Sequence, residues 1–164
     1  CKLTDDATHG LILSLDEIYL PWCAAAKADL KAVGADAHDD GEINMQTVAR
    51  YIEANGLSWS DFPAFEWCRA KGEGWYLPAI DELLTVGHSF NGGSRLKYNR
   101  KARSHFNDVL VDHGGKRLNR LVYYYASTEE NAASALTSHM AVEPPYMEGI
   151  VKNAKFLVRA VRKF

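Results

Sequence analysis

The stretch Gly74-Trp75-Tyr76-Leu77-Pro78-Ala79-Ile80-Asp81-Glu82-Leu83-Leu84 decides how the rest of the chain is read. Gly72 and Gly74 allow a sharp turn, because glycine reaches backbone angles that other residues avoid. Trp75, Tyr76 and Leu77 are bulky and read as a short extended piece entering a core. Pro78 fixes φ near the helical value and suits the first turn of a helix. Ile80, Leu83 and Leu84 follow at helical spacing, with Asp81 and Glu82 where negative charge favours a helix N-terminus. The reading is strand, proline, then an amphipathic helix over 78–88, with Trp75 and Leu83 buried.

Working back towards the N-terminus, 60–63 (SDFP) opens a shorter helix that carries Phe65, Trp67 and Cys68 into the core. Residues 44–54 form an amphipathic helix with Met45, Val48, Ala49 and Ile52 on one face, Asn44 as its N-cap and Gly56 at its end. The preceding acidic run places Asp36, Asp40, Gly41 and Ile43 at positions one, five, six and eight of an EF-hand loop. His38 stands at position three, and Thr47 stands where a bidentate Glu is required, so no metal is expected there. Residues 24–33 read as a short helix, Pro21 stops any strand before Trp22 and Cys23, and 9–15 (HGLILSL) reads as a buried strand.

Working forward, Asn91-Gly92-Gly93-Ser94 is a loop without the spacing of a phosphate-binding fingerprint. Arg95, Lys97, Arg100, Lys101 and Arg103 follow, interleaved with Ala102, Phe106, Val109 and Leu110 at helical spacing. This reads as the solvated face of a helix closed by 112–115; a dock for acidic glycans is the sharper alternative. Residues 121–125 read as a strand that places Tyr123 and Tyr125 on one face and Tyr124 on the other. Next come a polar turn over 127–131, a strand over 135–142, a proline-stiffened loop over 143–149, a short return strand at Ile150 and Val151, a turn, and a last strand over 156–161.

Three runs occur in fixed order: Trp75 to Leu83, Tyr124-Tyr125-Ala126-Ser127-Thr128-Glu129, and Val158-Arg159-Ala160-Val161-Arg162. They resemble the W-x-L-P-x-x-x-E-L, Y-W-S-S-T-E and V-R-A-V-R pattern of the Lcl-type C-terminal domain family. That family belongs to the C-type-lectin-like fold group, beside formylglycine-generating enzyme. The resemblance runs from His9 onward. It implies an α+β fold of small twisted antiparallel sheets flanked by two main helices, with the N- and C-terminal strands adjacent, so that the last strand over 156–161 is expected to pair with 9–15. It also implies an adhesive role for a domain of an exported bacterial surface or pilus protein.

With 164 residues the chain fits one domain, 1–164, with an ordinary core. Its first residue, Cys1, reads as a fragment boundary, with the lipidated cysteine of a mature lipoprotein as the alternative. Apolar residues at 47% and charged residues at 24% are normal for a globular protein. A net charge of −2 gives no general attraction to nucleic acid. No apolar run is long enough to span a membrane. Cys23 and Cys68 each follow a Trp and read as buried thiols, with a disulfide between them as the alternative.

No catalytic constellation assembles from the sequence. The histidines lack metal-ligand spacing, Ser127 sits in no nucleophile elbow, and no Cys follows Cys68 where formylglycine-generating enzyme has its working cysteines. Glu143-Pro144-Pro145 lacks the Asn of the calcium-dependent sugar-binding motif. The chain is therefore read as a non-enzyme without a cofactor. Its ligand is expected to be a host or bacterial surface glycan or protein, with pilus subunits or other domains as further partners. The expected surface spans 123–153: Tyr123, Tyr125 and Tyr146 as rigid aromatic contacts, and Asn131, Ser134, Ser138, His139 and Asn153 as hydrogen-bonding groups. The same region resembles the variable patch of proteins diversified by retroelements. The alternatives are a degenerate enzyme of the formylglycine-generating type and a structural module that packs on another domain.

Overall fold

The computed structural model describes residues 9–93, 99–140 and 146–164. In chain order the elements are β1 (Leu11–Leu13), β2 (Ile18–Pro21), α1 (Gly41–Asn55), α2 (Pro63–Arg69), β3 (Trp75–Tyr76), α3 (Ile80–Phe90) and α4 (Arg100–Asp112). They continue with β4 (Tyr123–Glu129), β5 (Ser134–His139), β6 (Tyr146–Val151), β7 (Lys155–Val158) and β8 (Val161–Lys163). The fold is α+β. One sheet has the order β1-β8-β3 and the other β2-β7-β4-β5-β6. All pairings are antiparallel except β4 with β7, which run parallel.

The 74–84 stretch is the crossing point of the fold. Pro78 lies before the helix rather than in its first turn, and α3 begins at Ile80 after an extended Ala79. The reason is Glu82. Its carboxylate accepts from the Ala79 amide at 2.9 Å, from the Gly41 amide at 3.0 Å and from the Tyr76 hydroxyl at 2.6 Å. One side chain thus caps α3 and ties in the start of α1 and the end of β3. Gly41 is required for this approach, since a Cβ there would stand 2.4 Å from the Leu77 carbonyl oxygen. Leu83 is buried as expected; Trp75 is only half-buried, because β3 is short and sits at a sheet edge.

Asn44 is not the N-cap of α1. Asp40 caps it, accepting from the amides of Glu42 at 2.9 Å and Ile43 at 3.3 Å. Asn44 lies one turn further in and is buried, with its amide bonded to Ala37 on both sides and to Ser127 Oγ at 2.9 Å. Gly56 ends α1 in a left-handed conformation, φ 63°. The helix expected over 24–33 is only a single 3-10 turn, Lys27–Asp29.

The chain's ends pair, but in two steps. β7 lies beside β2 and β8 beside β1, with the strand interrupted at Arg159 and Ala160. The Arg159 guanidinium is buried at that break. It donates to the carbonyls of Ser14, Leu15 and Lys116 and to Glu17, whose carboxylate also accepts from the Tyr124 hydroxyl. Burial lowers the guanidinium's pKa, and the neighbouring Glu17 opposes that shift.

The larger correction concerns 127–131. The first three are not part of a turn: β4 continues through Ser127 and Thr128 to Glu129, all three buried, and only Glu130 and Asn131 fall in the connection to β5. Helices cover both faces of the sheet. Tyr125 enters one apolar cluster with Trp22, Phe62, Phe65 and Val158. Tyr124 and Ala126 enter the other with Ile80, Leu83, Phe90 and Leu157. The register against β5 shifts between Tyr125 and Glu129, as at a β-bulge. Cys23 and Cys68 are buried and free, and burial raises both thiol pKa values.

Candidate binding face

β4, β5 and β6 place Tyr123, His139 and Tyr146 in one cross-strand row. Tyr123 is half-buried at the start of β4. Its ring lies 5.2 Å from that of His139 and meets Phe156 edge-on at 6.1 Å. Its hydroxyl donates to Glu148 Oε2 at 2.8 Å. His139 Nδ1 is buried and makes no hydrogen bond among the described residues. This end of the sheet therefore presents an aromatic pair and an exposed carboxylate on a fixed frame.

The other expected contacts separate. Tyr125 is fully buried, and its hydroxyl donates to the carbonyls of Val151 at 2.7 Å and Ala154 at 3.1 Å. Burial pushes that hydroxyl well above the usual tyrosine range. It closes the turn between β6 and β7 and is not a surface contact. Ser138 is also fully buried, because it alternates with His139 onto the opposite face. Asn131 and Ser134 are at the far end of β5. Asn131 Oδ1 accepts from the Ala133 amide at 2.9 Å and from the Ser134 amide at 3.0 Å, so it shapes the turn between β4 and β5. Asn153 is half-buried in the turn before β7. The side chain of Tyr146 falls outside the described residues, as do Arg95, Lys97 and the 143–145 run.

Sequence reasoning missed Phe156 and Glu148. Phe156 read as an ordinary core residue of the last strand, and Glu148 as part of a loop. A strand over 146–151 in register with β5 would have placed Glu148 on the Tyr123 face, but the two prolines before it masked the strand signal.

At the other end of β4 the polar groups are fully committed. Ser127 Oγ accepts from Asn44, and the Ser127 amide donates to the Pro78 carbonyl at 2.8 Å. Thr128 Oγ1 accepts from the Ile80 amide at 3.0 Å and donates to the Ala37 carbonyl at 2.9 Å. The Glu129 carboxylate accepts from the amides of Val33 and Gly34 and pairs with the Lys152 ammonium. That ammonium is 1% exposed, donates to the carbonyls of Lys31 and Ala132, both at 3.0 Å, and lies over the Trp22 ring at 4.8 Å. Each donor and acceptor here is turned inward, so this cluster has nothing to offer a ligand.

Asp40, in the acidic run, is also committed. Burial alone would raise its carboxyl, but the hydrogen bond and charge of Lys163, with the Ile43 and Glu42 amides, outweigh burial and hold it below the usual carboxylate range. Among the described residues no group of His, Cys, Asp and Glu is arranged to hold a metal ion.

No known family model matches the chain, and no curated protein matches it. Among solved structures it is similar to a fimbrial protein from Bacteroides ovatus ATCC 8483, with a TM-score of 0.71 and 18% identity over 98% of this chain. The match covers 37% of that protein, so the chain spans little more than a third of its length. At this identity the likeness is one of fold.

Proposed function

We propose that this chain is a non-enzymatic ligand-binding module of an exported bacterial surface or pilus protein, built on a C-type-lectin-like frame. The observation that carries the reading is the Tyr123–His139 pair, flanked by Phe156 and Glu148, at an open end of a sheet whose other end is locked. Rings held in mutual contact give contact area at little entropic cost, and a carboxylate beside them selects for donors such as sugar hydroxyls or peptide amides. The fold likeness to a fimbrial protein supports a surface setting. The binding face is narrower than the 123–153 surface: it comprises Tyr123, His139, Glu148 and Phe156, with Tyr146 opposite His139. If the region is diversified, substitutions should gather there and spare Tyr125 and Ser138, which the core requires.

The test begins with a glycan array and with binding to extracellular matrix proteins. For a ligand found in this way, Tyr123→Ala and His139→Ala should each weaken binding by about 2 kcal/mol or more, and Asn131→Ala by less than about 1. Loss of binding on reversing Arg100 and Lys101, with both ring variants unaffected, would move the site to α4 and end this reading.

A further inference from the structure

A separate feature lies on the three-stranded sheet. A cavity of about 650 Å3 opens between β1, α3 and α4, with Leu11, Leu13, Val86, Phe106, Val109 and Leu110 among its lining residues. β1 is an edge strand. Gly10 and Phe164 exchange both backbone hydrogen bonds, at 3.1 and 3.2 Å, and the Ser14 amide donates to Ala160 at 2.9 Å. The alternation of antiparallel pairing then turns the N–H and C=O groups of Leu11 and Leu13 away from β8, towards the outer edge. Among the described residues no strand pairs with that edge.

The edge is unguarded in a way that β6, at the far side of the other sheet, is not. β6 carries an exposed Glu148, and the Glu130 carboxylate covers Gly149 so closely that a Cβ there would lie 1.7 Å from its oxygen. Charges of this kind deter edge-to-edge pairing. β1 reads Leu-Ile-Leu, and Ile12 is 43% exposed. The cavity continues past His9 and Thr85 into a shallower one walled by Asp39 and Asp81. Both carboxylates are exposed and make no ion pair among the described residues, whereas Lys163 beside them is held by Asp40 and Glu42.

We propose that the β1 edge and this cavity bind an extended segment of a second polypeptide. It would pair with the main chain of Leu11 and Leu13, place alternate apolar side chains in the cavity and set a basic residue against Asp39 and Asp81. Unpaired main-chain donors and acceptors at strand spacing specify an extended backbone, the apolar lining specifies its inward residues, and the two carboxylates specify its charged end.

The probe is a fluorescein-labelled peptide of alternating valine and threonine with one lysine, placed at either end in turn. A second peptide is N-methylated at alternate amides. Saturable binding should be seen by polarisation, with slowed hydrogen exchange at the Leu11 and Leu13 amides. Val109→Glu, at a 43% exposed position, should weaken binding about tenfold or more with an unchanged circular dichroism spectrum, and Asp81→Lys should weaken it several-fold at low salt. The proposal is overturned if the unmethylated peptides do not bind or if the N-methylated one binds equally well. It is also overturned if the Leu11 and Leu13 amides are already protected without peptide, which would mean that the chain covers its own edge.

Discussion

The two ends of β4 use one strand in opposite ways. From Ser127 to Glu129 each polar side chain is buried and bonded to a segment far away in sequence: α1, the Pro78 turn, the Val33–Gly34 backbone and Lys152. At Tyr123 the strand is half-exposed, and its neighbours are rings and the carboxylate of Glu148. The first end fixes where the helices sit. The second inherits that rigidity without contributing much to it. A face of this kind can change without loss of the fold, because the groups that hold the fold lie elsewhere.

The largest effect should come from the locked end. Lys152→Met leaves the Glu129 carboxylate buried without its counter-charge and should destabilise the protein by about 3–5 kcal/mol in urea unfolding. A loss below about 1 kcal/mol would mean that the Val33 and Gly34 amides alone hold Glu129, and the contrast between the ends would weaken. Thr128→Val is next. It strands the Ile80 amide and removes one of the two donors to the Ala37 carbonyl, and it should cost about 1–3 kcal/mol by the same measurement.

A matched pair sharpens the comparison further. Tyr125→Phe removes a buried hydroxyl bonded to two carbonyls and should cost about 1–2 kcal/mol. Tyr123→Phe removes an exposed bond to Glu148 and should stay within about 0.5 kcal/mol. Equal losses in thermal unfolding would show that the two ends are not distinct.

The smallest effect should lie outside the five-stranded sheet, at the Asp40–Lys163 pair, which is partly exposed and screened by salt. The Asp40 carboxyl is held below its ordinary range, so its contribution is present above that range and is lost as pH falls through the lowered value. The Lys163 ammonium is raised, since the Asp40 and Glu42 carboxylates outweigh its burial, so its contribution is lost only as pH rises through the raised value. Stability followed against pH in Asp40→Asn should show a shallower acid limb than the parent, and the difference should shrink in high salt.

Much of this was legible in sequence. Helical spacing gave α3 and most of α1, Gly56 marked an end, and the alternation of 123–125 put Tyr123 and Tyr125 on one face. The pairing of the chain's ends followed from the resemblance; it holds between β1 and β8, whereas most of 156–161 lies in β7 and pairs with β2. Of the candidate site, Tyr123 was legible as an aromatic contact and His139 as a hydrogen-bonding group; Phe156 and Glu148 were not. What the sequence determined is what neighbouring residues impose on each other: periodicity, caps and breakers act within a few positions of where they are read. Only the tertiary structure decided that Ser127, Thr128 and Glu129 form a buried strand, that Asn44 is a cross-brace and that Tyr125 belongs to the core. A polar residue can be buried only where distant groups complete its hydrogen bonds, and Ala37, Ile80 and Lys152 are brought to β4 by the fold alone.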